Sequence, residues 1–266
     1  MDSASSAGMH IRSWVRCGIG SGCDGPIFTW TITLGSSASE GRYTLFVIRS
    51  LLLLCLSIVF TGAATPQDGS PEVWTFDRVD QLGGHPTKVL GNPRVIDTPA
   101  GKAIEFDGVD DAIFVDVHPL AGAKAFTWEV IFRPDSGGAR EQRFFHMQEK
   151  DTETRLLFET RLVDGKWFLD SFAHSGESKA LMNRQKLHPL DRWYHVAMVY
   201  DGKQFRNYVN GELEGSAELQ LTPQGKGHTS AGVRINLIDY FKGAIRLSRT
   251  TRRALAPQEF LKSPAN

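Results

Sequence analysis

Between about residues 103 and 247 the chain alternates apolar and polar residues with a period of two, and Asp-Gly or Asn-Gly pairs separate the runs. A period of two is the repeat of a β-strand with one face in the core and one toward water. Ile104 and Phe106 share a face, as do Ile113, Val115 and Val117. Phe126, Trp128, Val130 and Phe132 form a third such set, and Val233, Ile235 and Leu237 a fourth, followed by Ile245 and Leu247. Residues 193–200 are apolar on both faces, as a central strand covered on both sides would be. Asp107-Gly108, Asp164-Gly165, Asp201-Gly202 and Asn210-Gly211 accept the positive φ of tight hairpins. Residues 162–168 and 200–205 therefore read as hairpins. Helical character is confined to Ala256–Leu261, where Pro257 suits a first turn. Many short strands with regular turns predict an all-β fold, a two-sheet antiparallel β-sandwich.

The segment before this pattern is of another kind. Arg49 precedes an apolar run, Leu51 to Phe60, and then Thr61-Gly-Ala-Ala-Thr-Pro66. A basic residue, about ten apolar residues and small residues at the end make a secretory signal peptide. The run is short for a membrane span, which needs about 20 residues. The expectation is a leader at 45–64, cleaved after Ala63 or Ala64, with an uncleaved signal anchor as the alternative. Residues 1–44, rich in Ser and Gly, are expected to be a non-native or disordered extension, the true start lying near Leu45 or Val47. The mature domain is then 65–266. Cys17, Cys23 and Cys55 all precede it, so it has no internal disulfide, and at about 200 residues it buries enough surface without one. The 30 basic and 30 acidic residues balance, which argues against a nucleic-acid partner. A membrane is met only through an uncleaved leader.

Several stretches carry a resemblance. Residues 103–115, Ala-Ile-Glu-Phe-Asp-Gly-Val-Asp-Asp-Ala-Ile-Phe-Val, resemble the strand, Asp-Gly turn and strand of the laminin-G-like jelly-roll family, within the concanavalin A-like lectin and glucanase superfamily. Residues 126–134, 191–202, 208–212, 240–247 and 253–260 are similar to its following strands and terminal turn. The resemblance runs from about Trp74 to Phe260 and implies a concanavalin A-like jelly roll. Its motifs are core and turn residues, and the fold hosts many activities.

Three sets of residues are candidates for chemistry. Glu149, Asp151 and Glu153 have the Glu-x-Asp-x-Glu spacing of the superfamily's β-glucanases, in which one strand face presents the carboxylates. Here the intervening residues are Lys150 and Thr152, and burying an unpaired ammonium is costly, so an exposed loop is the competing reading. Calcium is implied by the resemblance at the sandwich rim, where Asp107, Asp110, Asp111 and Asp239 are the nearest carboxylates. The alternative for Asp107 is plain turn chemistry with Gly108. Trp167, Phe172, Tyr208 and Tyr240 could stack on sugar rings, against the alternative that all are core. Trp74, Trp128 and Trp193 read as core, and His195 as a packed, hydrogen-bonded strand residue. No two histidines have zinc-site spacing.

With no other credible catalytic group, the expected function is an exported, non-catalytic binding module. Its partner would be a carbohydrate or an extracytoplasmic protein, met outside the cell or in the periplasm and cell envelope. One rival is a glucan hydrolase acting through Glu149, Asp151 and Glu153. The other is a structural or adhesive envelope protein.

Overall fold

Two antiparallel sheets face each other in the computed structural model, which describes residues 70–264. The expected extension at 1–44, the leader at 45–64 and all three cysteines lie outside the described residues. Among the described residues, seventeen strands are numbered β1 to β17 in chain order. The first sheet runs β15 (Glu212–Glu218), β14 (Gln204–Val209), β13 (Tyr194–Tyr200), β7 (Phe126–Pro134), β17 (Lys242–Thr251), β5 (Gly101–Asp107) and β4 (Arg94–Thr98). β1 (Glu72–Thr75) also pairs with β17. The second sheet runs β11 (Glu177–Met182), β10 (Lys166–Ser175), β9 (Arg155–Val163), β8 (Glu141–Glu149), β16 (Gly227–Ala231), β6 (Ala112–Val115), β3 (His85–Leu90) and β2 (Gln81–Leu82). β12 (His188–Pro189) pairs with β10. The chain crosses between sheets from β1 to β2, β3 to β4, β5 to β6, β6 to β7, β7 to β8, β12 to β13, β15 to β16 and β16 to β17, so each sheet mixes distant segments.

The alternating residues meet between the sheets. Phe126, Trp128, Val130 and Phe132 of β7 join Tyr194, Val196 and Met198 of β13 in the main core. From the other sheet come Phe144, Phe145, Leu156, Phe158 and Trp167. The rings interlock: Trp128 lies 4.6 Å from Phe158, and Phe132 stacks on Phe144 at 4.2 Å. Aromatic pairs of this kind contribute beyond their buried area. The Asp164-Gly165 and Asn210-Gly211 turns have positive φ at both residues, the geometry that matches strand twist in two-residue hairpins.

Three local expectations are corrected. Val233, Ile235 and Leu237 do not form a strand: residues 232–241 are an irregular loop with positive φ at Leu237 and Asp239. Ile245 and Leu247 do not share a face, because a bulge in β17 lies between them. Ile245 enters the main core, whereas Leu247 packs on the outer side with Ala244 and Ile131. The terminal helix is a single 3-10 turn, Pro257–Glu259. Among the described residues no helix is long and apolar enough to cross a membrane.

The outer face of the first sheet is covered. The segment after β17 lays Leu255 and Phe260 over Ala197, Val199 and Tyr208. Beneath it, Glu129 accepts hydrogen bonds from Arg249 Nε (2.5 Å) and the Leu261 backbone N–H (2.7 Å), and pairs with His195 Nε2 at 2.9 Å. Glu129 and His195 are almost wholly buried. His195 thus has the packed, hydrogen-bonded role its sequence position suggests. These polar groups anchor the C-terminal segment.

Candidate functional site

On β9 the inner residues Leu156 and Phe158 fix the outer ones as Arg155, Leu157, Glu159 and Arg161. On β10 the inner Trp167, Leu169 and Ala173 fix Phe168, Asp170, Phe172 and His174 as outer. β8 adds Arg143, His146 and Gln148. The outer face of the second sheet therefore has a floor of Leu157, Phe168 and Phe172 among charged side chains.

Glu159 and Asp170 are directly opposite each other across β9 and β10. Like charges in that position repel. Arg161 answers them with Nη2 at 2.9 Å from Glu159 and with Nε and Nη2 at 3.0 and 2.9 Å from Asp170 Oδ2. Arg143 adds a 3.1 Å pair to Glu159, and both arginines reach Glu141. Burial, with Asp170 beside it, pushes the Glu159 carboxyl up to about 7. Burial also raises Asp170, although Arg161 opposes the shift. Asp170 Oδ1 is buried with no hydrogen-bond partner.

Further along the face the balance turns positive. The Arg155 guanidinium lies 4.8 Å over the Phe172 ring. Arg234 enters from the 232–241 loop, which runs beside β8: the Gly232 N–H donates to Phe144 O, and the Arg143 N–H donates to Asp239 O. Gly232 has φ +86, and a Cβ there would stand 2.3 Å from the Phe106 ring, so only glycine lets the loop leave β16 at this angle. His146 Nδ1 accepts the Ile235 N–H at 3.0 Å. Burial, then the charges of Arg234 and Arg155, lower that imidazole to about 2.

The predicted site residues fall in several places. Trp167 is wholly buried, edge-on to Phe132 and Tyr194, and offers no free ring face. Its neighbour Phe168 faces outward instead. Tyr208 is covered by Phe260 at 5.1 Å, beneath the C-terminal segment. Phe172 is on the outer face, but Arg155 occupies its ring. Tyr240 is half-buried in the 232–241 loop. Trp193, expected in the main core, packs instead on the outer side of the first sheet with Ile131 and Ala244.

Asp107, Asp110 and Asp111 do converge, with one carboxylate oxygen of each within 4.8 Å of the others. They line an open cleft of about 570 Å³ with Gly91, Arg94 and Lys242. Asp107 Oδ1 accepts the N–H groups of Val109, Asp110 and Asp111, and Asp111 accepts those of Asn92 and Asp107. Burial pulls Asp107 upward, but its backbone N–H partners outweigh that and hold it below the usual carboxylate range. Asp239 is not in this group: it is ion-paired with Arg143 on the second sheet. The four carboxylates are thus not one calcium set. The remaining three could supply part of the 6–8 oxygens calcium takes.

Glu149, Asp151 and Glu153 do not form a catalytic strand face. β8 ends at Glu149, whose Oε2 accepts the Gly225 N–H at 2.8 Å. Asp151 is in the hairpin turn with φ 58, and Glu153 is exposed and pairs with Arg155. The turn breaks the alternation that would align the three, which removes the hydrolase reading built on them.

The Glu159–Asp170 pair, the two arginines around it and Arg234 escaped sequence reading. Each sits in an ordinary amphipathic stretch, and only sheet register brings them together.

A laminin-G family of the concanavalin A-like lectin/glucanases superfamily matches residues 107–260. No curated protein matches the sequence. Among solved structures, domain 4 of an extracellular GH43 arabinanase from Geobacillus stearothermophilus, in complex with arabinotriose, is similar with a TM-score of 0.55 at 19% identity, covering 73% of this chain and 97% of that one. The receptor binding domain of botulinum neurotoxin D is similar with a TM-score of 0.52 at 14% identity, covering 70% of this chain and 50% of that one. The binding domain of Paraclostridial Mosquitocidal Protein 1 has a TM-score of 0.51 at 15% identity, with 71% and 50% covered. The chain spans about half the length of those toxin domains. At these identities the likeness is one of fold.

Proposed function

Since the chain belongs to this laminin-G family of the concanavalin A-like lectin/glucanases superfamily, we propose that it is an exported, non-catalytic binding module. It holds a carbohydrate on the outer face of its second sheet. The observation that carries this reading is the outward face itself, where Arg155, Arg161 and Glu159 on β9 stand beside Asp170, Phe172 and His174 on β10. Donors, acceptors and an aromatic ring set side by side suit a polar ligand with apolar ring faces. Sugar hydroxyls both donate and accept, and they suit acceptors and donors set side by side over an apolar floor. The similar arabinanase domain, in complex with arabinotriose, is consistent with this. Export rests on the leader at 45–64.

A non-catalytic role accords with the dispersal of Glu149, Asp151 and Glu153, and with the arginines that occupy Glu159 and Asp170. The test is binding of the purified full chain to an array of neutral and charged oligosaccharides, in calcium and in chelator, with product analysis of whatever binds. Saturable binding without cleavage is expected. Arg155→Gln should weaken it about tenfold, the scale of one lost charge-assisted hydrogen bond. Release of shorter saccharides would overturn the non-catalytic part. Binding lost in chelator would place calcium at Asp107, Asp110 and Asp111. Absence of any binding would overturn the carbohydrate reading and favour an extracytoplasmic protein partner.

A further inference from the structure

A cleft of about 470 Å³ opens on the outer side of the first sheet, across the sandwich from the saccharide face. The β4–β5 turn forms one wall with Pro99 and Ala100, and Pro264, at the end of the segment after β17, also lines it. Arg133, Asp191, Arg192 and Trp193 complete the lining.

These walls are pinned to the sheet. Arg246 Nε donates to Ala100 O at 2.7 Å and fixes the turn. Ser263 Oγ donates to Trp193 O at 3.2 Å and fixes the C-terminal side. Arg133 is held by Asp135 at 2.6 and 2.8 Å, and its guanidinium carbon lies 5.5 Å from the centre of the Trp193 ring. The cleft is therefore formed before a ligand arrives, and a preformed site loses little to ordering.

The surroundings are apolar. Trp193 packs with Ile131 and Ala244, and Ile96, Leu247 and Leu261 lie half-buried against them. The charges favour an anion. Arg133 is matched by Asp135 and Glu105. Arg192 is exposed and has no hydrogen-bond or ion-pair partner among the described residues. Behind the Ala100 wall, Arg246 has no carboxylate partner among them either. The one carboxylate of the lining, Asp191, already accepts the Ser136 N–H through Oδ1 at 2.8 Å. Small-molecule sites are clefts of roughly 300–1,000 Å³ with apolar walls and a few placed polar groups, and this cleft has that form.

We propose that the cleft is a second ligand site, for a small carboxylic acid with a planar apolar body. The carboxylate pairs with Arg192, and the body lies between the Pro99–Ala100 turn and Pro264, against Trp193. A guanidinium offers a carboxylate two parallel N–H donors, which fixes the orientation of the acid. This site stands apart from the saccharide reading.

The experiment titrates the full chain by calorimetry with three probes. Cinnamate carries both the ring and the charge, cinnamamide the ring alone, and acetate the charge alone. Cinnamate should bind saturably and about tenfold tighter than cinnamamide, the scale of one charge-assisted hydrogen bond, with acetate weaker than either. High salt should weaken cinnamate and leave cinnamamide unchanged. Arg192→Gln should bring cinnamate down to the affinity of cinnamamide. Ala100→Phe, which fills the cleft from the turn, should weaken both about tenfold or more, as loss of the apolar contact does. Arg155→Gln, on the other sheet, should leave cinnamate within about twofold.

Equal binding of cinnamate and cinnamamide, acetate as tight as cinnamate, or affinity unmoved by Arg192→Gln and Ala100→Phe overturns the inference. Saccharide binding with no cinnamate binding overturns it alone. Cinnamate binding that responds to both variants supports it even where the saccharide array stays empty, an outcome that overturns only the saccharide reading.

Discussion

Two buried groups on the outer face respond to pH in opposite senses. Glu159 holds its proton up to about 7 in the folded chain, against an ordinary 4.5. Below pH 4.5 both states are protonated and nothing is lost. As pH rises toward 7 the unfolded chain releases the proton first, so folding stability falls, by roughly 3 kcal/mol in all. His146 behaves inversely: its folded value is about 2 against 6.5, so its stability contribution is lost as pH drops below 6.5. Between 4.5 and 6.5 the two slopes oppose each other, and the native protein should show a nearly flat profile from this pair. Glu159→Gln unmasks it. The variant's stability relative to the native chain should climb by about 2–3 kcal/mol from pH 4.5 to 8, measured by urea unfolding. A constant difference would mean that Glu159 is ionised throughout. Neither group could be singled out from sequence, because burial on an outer sheet face depends on what stands across the neighbouring strands.

Elements show how far a repeat of two can be trusted. It correctly placed the inner faces of β5, β6 and β7, and Asp164-Gly165, Asp201-Gly202 and Asn210-Gly211 fell at hairpins, whereas Asp107-Gly108, expected in a hairpin too, instead carries the chain from β5 to β6 across the two sheets. It failed where the backbone slips by one residue. The bulge in β17 turns Leu247 away from Ile245. The positive-φ residues of the 232–241 loop convert an apparent strand into the segment that carries Arg234. On β10 the phase decides between two adjacent rings. Trp167↔Leu162 pairing puts the tryptophan inward and Phe168 outward. Trp167→Ala should therefore cost about 3–5 kcal/mol by chemical unfolding, as a core cavity does. Trp167→Phe should keep saccharide affinity within about twofold, the scale of measurement scatter for a residue that meets no ligand. A large affinity loss in a stably folded Trp167→Phe would return that ring to the binding site.

At the scale of the whole molecule the two outer faces have different fates. The C-terminal segment closes the first sheet through Leu255, Phe260 and the Leu261 N–H on Glu129. Phe260→Ala should destabilise by about 3 kcal/mol and leave saccharide binding unchanged. Weakened binding in that variant would point to the first sheet instead. On the second sheet the cover is polar: the 232–241 loop and the arginines lie over buried Glu159, Asp170 and His146. By itself the sequence determined the all-β class, the hairpin turns and most of the core, since these follow from alternation and from residues that accept positive φ. The resemblance added the family. Tertiary structure alone brought the residues of the candidate site together. A period of two says which residues share a face, but not which strands become neighbours or which face a distant segment covers. Glu159 meets Asp170 through the β9–β10 register, and Arg234 meets Arg155 and His146 through a loop some 80 residues away along the chain. Charge pairing is a property of those meetings, so it became visible only when the sheets were assembled.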